Sequence, residues 1–240
     1  MQFAYLGSNG ITFALWLLLY WRRKDLHSMM ITMSICAMPL ALFDLLFVPS
    51  YWKPVTLFHI PIGIEGFVFS FCVGGIAAVL YAELAKLRPQ RIRNWRTSAH
   101  RAIWVPPITL MVFMLVYLVG APNPEIAAYA AMSVGIAVLL VLRKDLAHST
   151  FSGAGAFGVT YFFALKLWVS LFPGVQHWFV FAHMPQLFPW GVPGWEALFG
   201  LLFGAYWVNL YEVLFGYTLV PHRKASNQSR RKVAGPNRTT

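Results

Sequence analysis

Phe67-Val68-Phe69-Ser70-Phe71-Cys72-Val73-Gly74-Gly75-Ile76-Ala77-Ala78-Val79-Leu80 is an uncharged stretch inside an apolar run over 58–84, and the run closes on Lys86, Arg88 and Arg91. A helix needs about 20 apolar residues to cross about 30 Å of hydrocarbon, and this run is long enough. Working outward from it, further stretches qualify at approximately 3–21, 28–48, 102–120, 125–142, 151–172 and 195–219. The sequence therefore predicts an all-α, polytopic integral membrane protein of about seven transmembrane helices. Composition agrees: 58% of the 240 residues are hydrophobic and 11% are charged, with a mean hydropathy of +0.60. A soluble domain carries about 25% charged residues.

Orientation follows from the cations. Arg22, Arg23 and Lys24 follow the first span; Lys86, Arg88, Arg91, Arg93, Arg96 and Arg101 lie between the third and fourth; Arg143 and Lys144 follow the fifth. With the six of the tail, 17 of the 19 Lys and Arg fall on one side, against Lys53 on the other and Lys166 within a span. Cytoplasmic loops carry the excess of Lys and Arg, so the expected placement is the plasma membrane, with the N-terminus outside and the C-terminus in the cytoplasm. No charged segment precedes the first span and no small-residue cleavage site follows it, so that span reads as permanent. The net charge of +11 is split among short loops, which argues against nucleic acid and for anionic lipid headgroups as the partner. The tail 221–240, basic and rich in Ser, Asn and Pro, is expected to be disordered. Cys36 and Cys72 lie in apolar runs and read as packing residues. The glycines of 73–75 and 152–156 allow close helix approach.

Two segments look alike. One runs Asp44, Trp52, Pro61, Glu65, Phe69, Tyr81, Glu83; the other Trp178, Pro193, Glu196, Phe199, Tyr211, Glu212. In each, a proline near the outer surface precedes a carboxylate that opens an apolar helix, and a Tyr with a Glu closes that helix. The predicted organisation is 3+1+3, with a parallel internal repeat. It comprises a first three-helix half over 1–87, a basic loop and linking helix over 88–124, a second half over 125–220, and the tail.

These residues resemble the membrane-embedded lycopene cyclases, a family built from two three-helix halves with a Pro-x-Glu-Glu signature heading the third helix of each. The matching stretches are Ile60-Pro61-Ile62-Gly63-Ile64-Glu65-Gly66-Phe67 and Val192-Pro193-Gly194-Trp195-Glu196-Ala197-Leu198-Phe199, each with one acid in place of two. Phe43-Asp44 is similar to the family's aromatic-Asp pair, and Tyr211-Glu212 to its closing aromatic-Glu pair. The likeness covers about 3–220. It implies a carotenoid cyclase of the intramolecular lyase or isomerase type. The substrate would be a linear carotenoid or other apolar isoprenoid, no cofactor would be needed, and other carotenoid enzymes would be associated with it.

Such a redox-neutral cyclisation protonates an isolated alkene, which needs a carboxylic acid kept protonated by desolvation. Ionisable residues in hydrocarbon cost roughly 2.5–3.5 kcal/mol and are functional candidates by default. Glu65 and Glu196 are the expected catalytic pair, either as acid and base or as one acid for each end of a symmetric substrate. Asp44, Glu212, Tyr81 and Tyr211 are supporting candidates. Trp52, Trp178, Trp190 and Trp195 are the candidates for binding substrate and stabilising a cation through their π faces. The blander readings are interfacial belts for the Trp residues and helix-start caps for Glu65 and Glu196. Lys166 is expected to snorkel or to pair with a carboxylate. Glu83, near the cytoplasmic boundary, reads as structural. His59, His177 and His183 match no metal-ligand spacing, so no metal is expected. The alternative function is a small transporter or proton-coupled carrier that uses the same carboxylates, although the repeat is parallel and such carriers often show inverted ones. A retinal photoreceptor would need a lysine in the seventh span, which has none.

Overall fold

A computed structural model describes residues 3–60, 62–92, 101–119, 123–181 and 184–221. Pro61, His183, Arg93, Arg96 and the tail from 222 lie outside the described residues. The described chain is mostly helical. Its helices are α1 (Ala4–Arg22), α2 (His27–Ala37), α3 (Asp44–Phe47), α4 (Ile64–Leu84), α5 (Val105–Val119), α6 (Pro124–Leu142), α7 (Ala147–Leu171), α8 (Gly194–Trp207) and α9 (Leu210–Phe215). Six helical stretches are long and apolar enough to cross a membrane: Lys24–Phe47, Ile64–Leu84, Ala102–Val119, Pro124–Leu142, Lys144–Leu171 and Gly194–Phe215.

The first expected span, 3–21, forms α1 but is not among those six. Its N-terminal half carries buried Ser8, Asn9 and Thr12, which lower its apolar character. Each donates a hydrogen bond within the fold. Ser8 Oγ donates to Tyr5 O at 2.8 Å, Thr12 Oγ1 to Ser8 O at 3.1 Å, and Asn9 Nδ2 to the Glu65 carbonyl of α4 at 3.0 Å. The all-α expectation is corrected in one place. Strands β1 (Leu87–Arg91) and β2 (Tyr217–Pro221) pair antiparallel, with Pro89 opposite Leu219. The backbone turns out of the preceding helices through left-handed residues, Lys86 (φ 53°) and Gly216 (φ 72°), and cannot continue as helix.

Local geometry recurs at fixed spacing. Helices α1 and α6 are 19 residues each and begin 120 residues apart. Each leads through an arginine into a single 3₁₀ turn of Lys-Asp-Leu, Lys24–Leu26 and Lys144–Leu146. In both turns the arginine grips the aspartate with two nitrogens, Arg23 to Asp25 at 2.9 and 2.8 Å and Arg143 to Asp145 at 2.8 and 2.7 Å. Helices α4 and α8 begin 130 residues apart, as do β1 and β2.

Packing follows the same scheme. Helices α1 and α2 lie against α4, helices α6 and α7 against α8, and α5 against α6. The crossings rest on glycines. A Cβ on Gly74 would stand 2.9 Å from Met33 O, and one on Gly204 would stand 2.7 Å from Gly153 O. Any side chain there would force the helices apart.

The chain is tied together at both ends. At one end lies the β1–β2 pair, with Glu83 beside it receiving Arg23 at 2.8 Å, Lys86 at 3.1 Å and Arg22 at 3.4 Å. At the other end two loops clasp each other. Lys53 N donates to Trp178 O and Val180 N to Tyr51 O, both at 2.7 Å, on either side of the Trp52–Phe179 bridge.

Candidate functional site

Beneath that clasp lies a cavity of about 500 Å³, within the range of about 300–1,000 Å³ usual for ligand pockets. Its wall runs along α8 and α9 from Glu196 to Leu214, which at 1.5 Å per residue is about 27 Å. The lining is apolar and aromatic over most of that length, with Phe43, Phe47, Phe113, Phe199 and Phe203 among its rings. Carboxylates come from three places: Asp44 at the start of α3, Glu125 in the first turn of α6 and Glu196 in the first turn of α8. Among the described residues, no Lys or Arg lines it. Between α2 and α5 the wall includes the exposed residues Cys36, Leu40 and Leu110, so the cavity opens sideways where lipid would lie.

Glu196 keeps part of its surface open to the cavity. Tyr51 Oη donates to its Oε1 at 2.9 Å, and Tyr161 Oη to its Oε2 at 2.7 Å. Burial, reinforced by Glu196, pushes the Tyr51 phenol well above its ordinary range, so it remains a donor. The Asp44 carboxyl lies over Gly66, where its Oδ2 would be 2.7 Å from an added Cβ, and its other neighbour is the Trp52 side chain. Trp52 meets Tyr5 edge to face at 5.0 Å. The Tyr5 hydroxyl stands 3.7 Å from the same point over Gly66 and within electrostatic reach of Asp44, Glu65 and Glu196. The structure thus brings Asp44, Trp52 and Glu196 to one cavity.

The other sequence candidates stand elsewhere. Glu65 is buried but does not line the cavity; its Oε1 accepts the backbone N–H of Leu57, and its Oε2 is buried without a partner. Trp178 is buried against Trp168 at 6.0 Å, and it is Trp168 that reaches the cavity. Trp195 stacks on Tyr129 at 6.2 Å and donates to Pro185 O at 2.8 Å. Trp190 is 79% exposed. Its carbonyl accepts Lys166 Nζ at 2.7 Å, so that lysine pairs with a backbone group and not with a carboxylate. Tyr81, Tyr211 and Glu212 sit at the far end of α4 and α9. There Tyr81 meets His148 at 6.1 Å, Tyr211 packs on Tyr217 at 4.8 Å, and Glu212 is buried near Arg143.

Sequence reasoning missed Glu125. The signal was available: like Glu65 and Glu196, it opens an apolar run directly after a proline-containing turn, Asn123-Pro124. Among the described residues no cluster of His, Cys, Asp and Glu could hold a metal ion. Compared with known proteins, the chain matches no family model, no curated protein and no solved structure.

Proposed function

We propose that this protein is a membrane-embedded cyclase similar to the lycopene cyclases, closing a ring at the end of a linear carotenoid or related isoprenoid without redox change. In this reading α1 is a seventh span. The helices then form two parallel three-helix units joined by α5, with the clasped loops outside and the strand pair on the cytoplasmic face. The twice-used Arg-Lys-Asp-Leu turn and the matching glycine crossings support that 3+1+3 arrangement.

The carrying observation is the shared cavity, into which one unit contributes Asp44 and the other Glu196, with aromatic rings around them and no cation among the lining residues. Protonating a terminal alkene leaves a tertiary cation, which the next double bond attacks to close a six-membered ring before a base removes a proton. Carboxyl groups supply the acid and the base, and ring faces stabilise the cation between them. The long apolar wall suits the rest of a polyene, and the sideways opening suits a substrate dissolved in lipid.

Expression in a lycopene-accumulating host tests the reading. The parent chain should yield a ringed product, and Asp44→Asn and Glu196→Gln should each lower conversion, Glu196→Gln by about 10²–10⁴-fold, the usual worth of a general acid or base. A parent that leaves lycopene unchanged, or variants that convert it at the parental rate, would reject the assignment. A proton-coupled carrier would use the same carboxyls but would return its cargo chemically unaltered.

A further inference from the structure

We infer that Glu125 is the proton donor of this site and Glu196 its proton acceptor, the two sharing a single proton. The inference rests on the cyclase reading above and deepens it, because sequence resemblance points to Glu196 and does not include Glu125.

The hydrogen-bond inventory divides the roles. Each tyrosine has one O–H to give. Tyr51 and Tyr161 spend theirs on the two oxygens of Glu196, at 2.9 and 2.7 Å, so both carboxylate oxygens are acceptors. Tyr129 spends its own on the Trp195 carbonyl at 2.7 Å. That carbonyl belongs to the residue before Glu196, and Tyr129 lies one helical turn after Glu125, so the start of α6 is tied to that of α8.

Burial points the same way. Glu125 is 2% exposed, and its Oε1 has no partner in the protein although the residue lines the cavity. An ionised carboxylate left that way would cost far more than a neutral one. Glu125 and Glu196 line the same cavity, and among the described residues no Lys or Arg lines it to offset two negative charges. Two carboxylates sharing such a site do not both ionise. Position is fixed by the helix start, where Asn123 Oδ1 accepts the Glu125 backbone N–H at 2.9 Å.

The step balances. The Glu125 O–H bond breaks as a C–H bond forms at the terminal alkene carbon, and the π pair of the next double bond closes the ring. The proton then lost beside the new cationic carbon goes to Glu196. The pair ends with one proton, as it began, and the product is an isomer of the substrate.

Two measurements on full-length protein in lipid nanodiscs and in the lycopene-accumulating host decide it. Infrared spectroscopy at neutral pH should show the C=O stretch of a buried protonated carboxyl, which Glu125→Gln removes and Glu196→Gln leaves in place. In the host, Glu125→Gln should lower conversion by about 10²–10⁴-fold, while Glu125→Asp, which keeps an ionisable proton, should retain part of it and keep the band. A band untouched by Glu125→Gln, or near-parental conversion by that variant, overturns the inference even if Asp44→Asn and Glu196→Gln are inactive. If the parent cyclises nothing, the cyclase reading fails, and the infrared band alone decides whether Glu125 holds the shared proton.

Discussion

Replacing Gly66 with alanine, alone and together with Asp44→Ala, probes how the first unit presents its carboxyl. A Cβ at 66 would lie 2.7 Å from Asp44 Oδ2 but 3.6 Å from Ala41 Cβ and 3.7 Å from Tyr5 Oη. The last two are ordinary contacts, so the Asp44 side chain is the only close obstacle. Moving it disturbs its contact with Trp52 and should cost about 1–3 kcal/mol, as overpacking does. Against that stands a gain of about 0.8–1 kcal/mol for alanine over glycine within a helix. Gly66→Ala should therefore be neutral to destabilising by about 2 kcal/mol in the parent. In the Asp44→Ala background the obstacle is gone, and the same change should stabilise by about 1 kcal/mol. Reversible unfolding of the four proteins in detergent gives the coupling, expected at about 1–3 kcal/mol. Equal effects in both backgrounds, to within about 0.5 kcal/mol, would mean that the Asp44 carboxyl does not rest over Gly66, and the shared cavity would lose its first-unit acid.

The remaining tests concern the frame. Arg23→Ala strips Glu83, whose side chain is only 8% exposed, of its 2.8 Å partner; Arg22 and Lys86 remain, so the loss should be about 1–3 kcal/mol, below the usual cost of breaking a buried pair. Arg143→Ala should cost less, about 1 kcal/mol at most, because its ion pair is with the exposed Asp145; thermal unfolding that ranks the two the other way would count against the packing described here. A reporter fused after Thr240 should be active only in the cytoplasm and one inserted in 49–57 only outside, and the reverse pattern would refute the orientation.

Sequence alone was enough to read six helices long and apolar enough to cross a membrane, because an uncharged run such as 67–80 has few other uses. It served less well for the site, and the reason is helical phase. Glu65 and Glu196 were paired by their distance from a proline and from a closing tyrosine. The helix and strand starts, however, put Gly66 and not Glu65 in register with Glu196. One residue turns a helical side chain by about 100°, enough to move Glu65 from the cavity wall to the Leu57 loop. Three of the four Trp candidates stand off the cavity for a related reason. Composition places them at one level, but level does not say which way an indole faces, and only Trp52 of the four lines the cavity. The repeated Arg-Lys-Asp-Leu was legible throughout at 23–26 and 143–146.

Corrected for that phase, the two units turn out to be alike in backbone and unlike in chemistry. Where α8 carries Glu196, α4 carries Gly66, and the space above that glycine is filled by Asp44 from the neighbouring helix. Where α6 opens with Glu125, α1 has Tyr5 at the matching position, 120 residues earlier. Each unit thus offers the cavity a carboxyl, on helices that do not correspond. The acid pair of Glu125 and Glu196 belongs to the second unit alone. That asymmetry bears on whether each unit serves one end of a symmetric substrate. Two equivalent half-sites would need an acid and a base in each, and the first unit offers Asp44 beside a tyrosine hydroxyl in their place. All three carboxyls also line one cavity, whose wall runs mostly apolar for about 27 Å from Glu196 toward Leu214. Such a shape has one reacting end and one storage end. In the proposed reaction the molecule therefore handles a single terminus at a time, and the second ring of a symmetric polyene requires the monocyclic product to leave and return reversed.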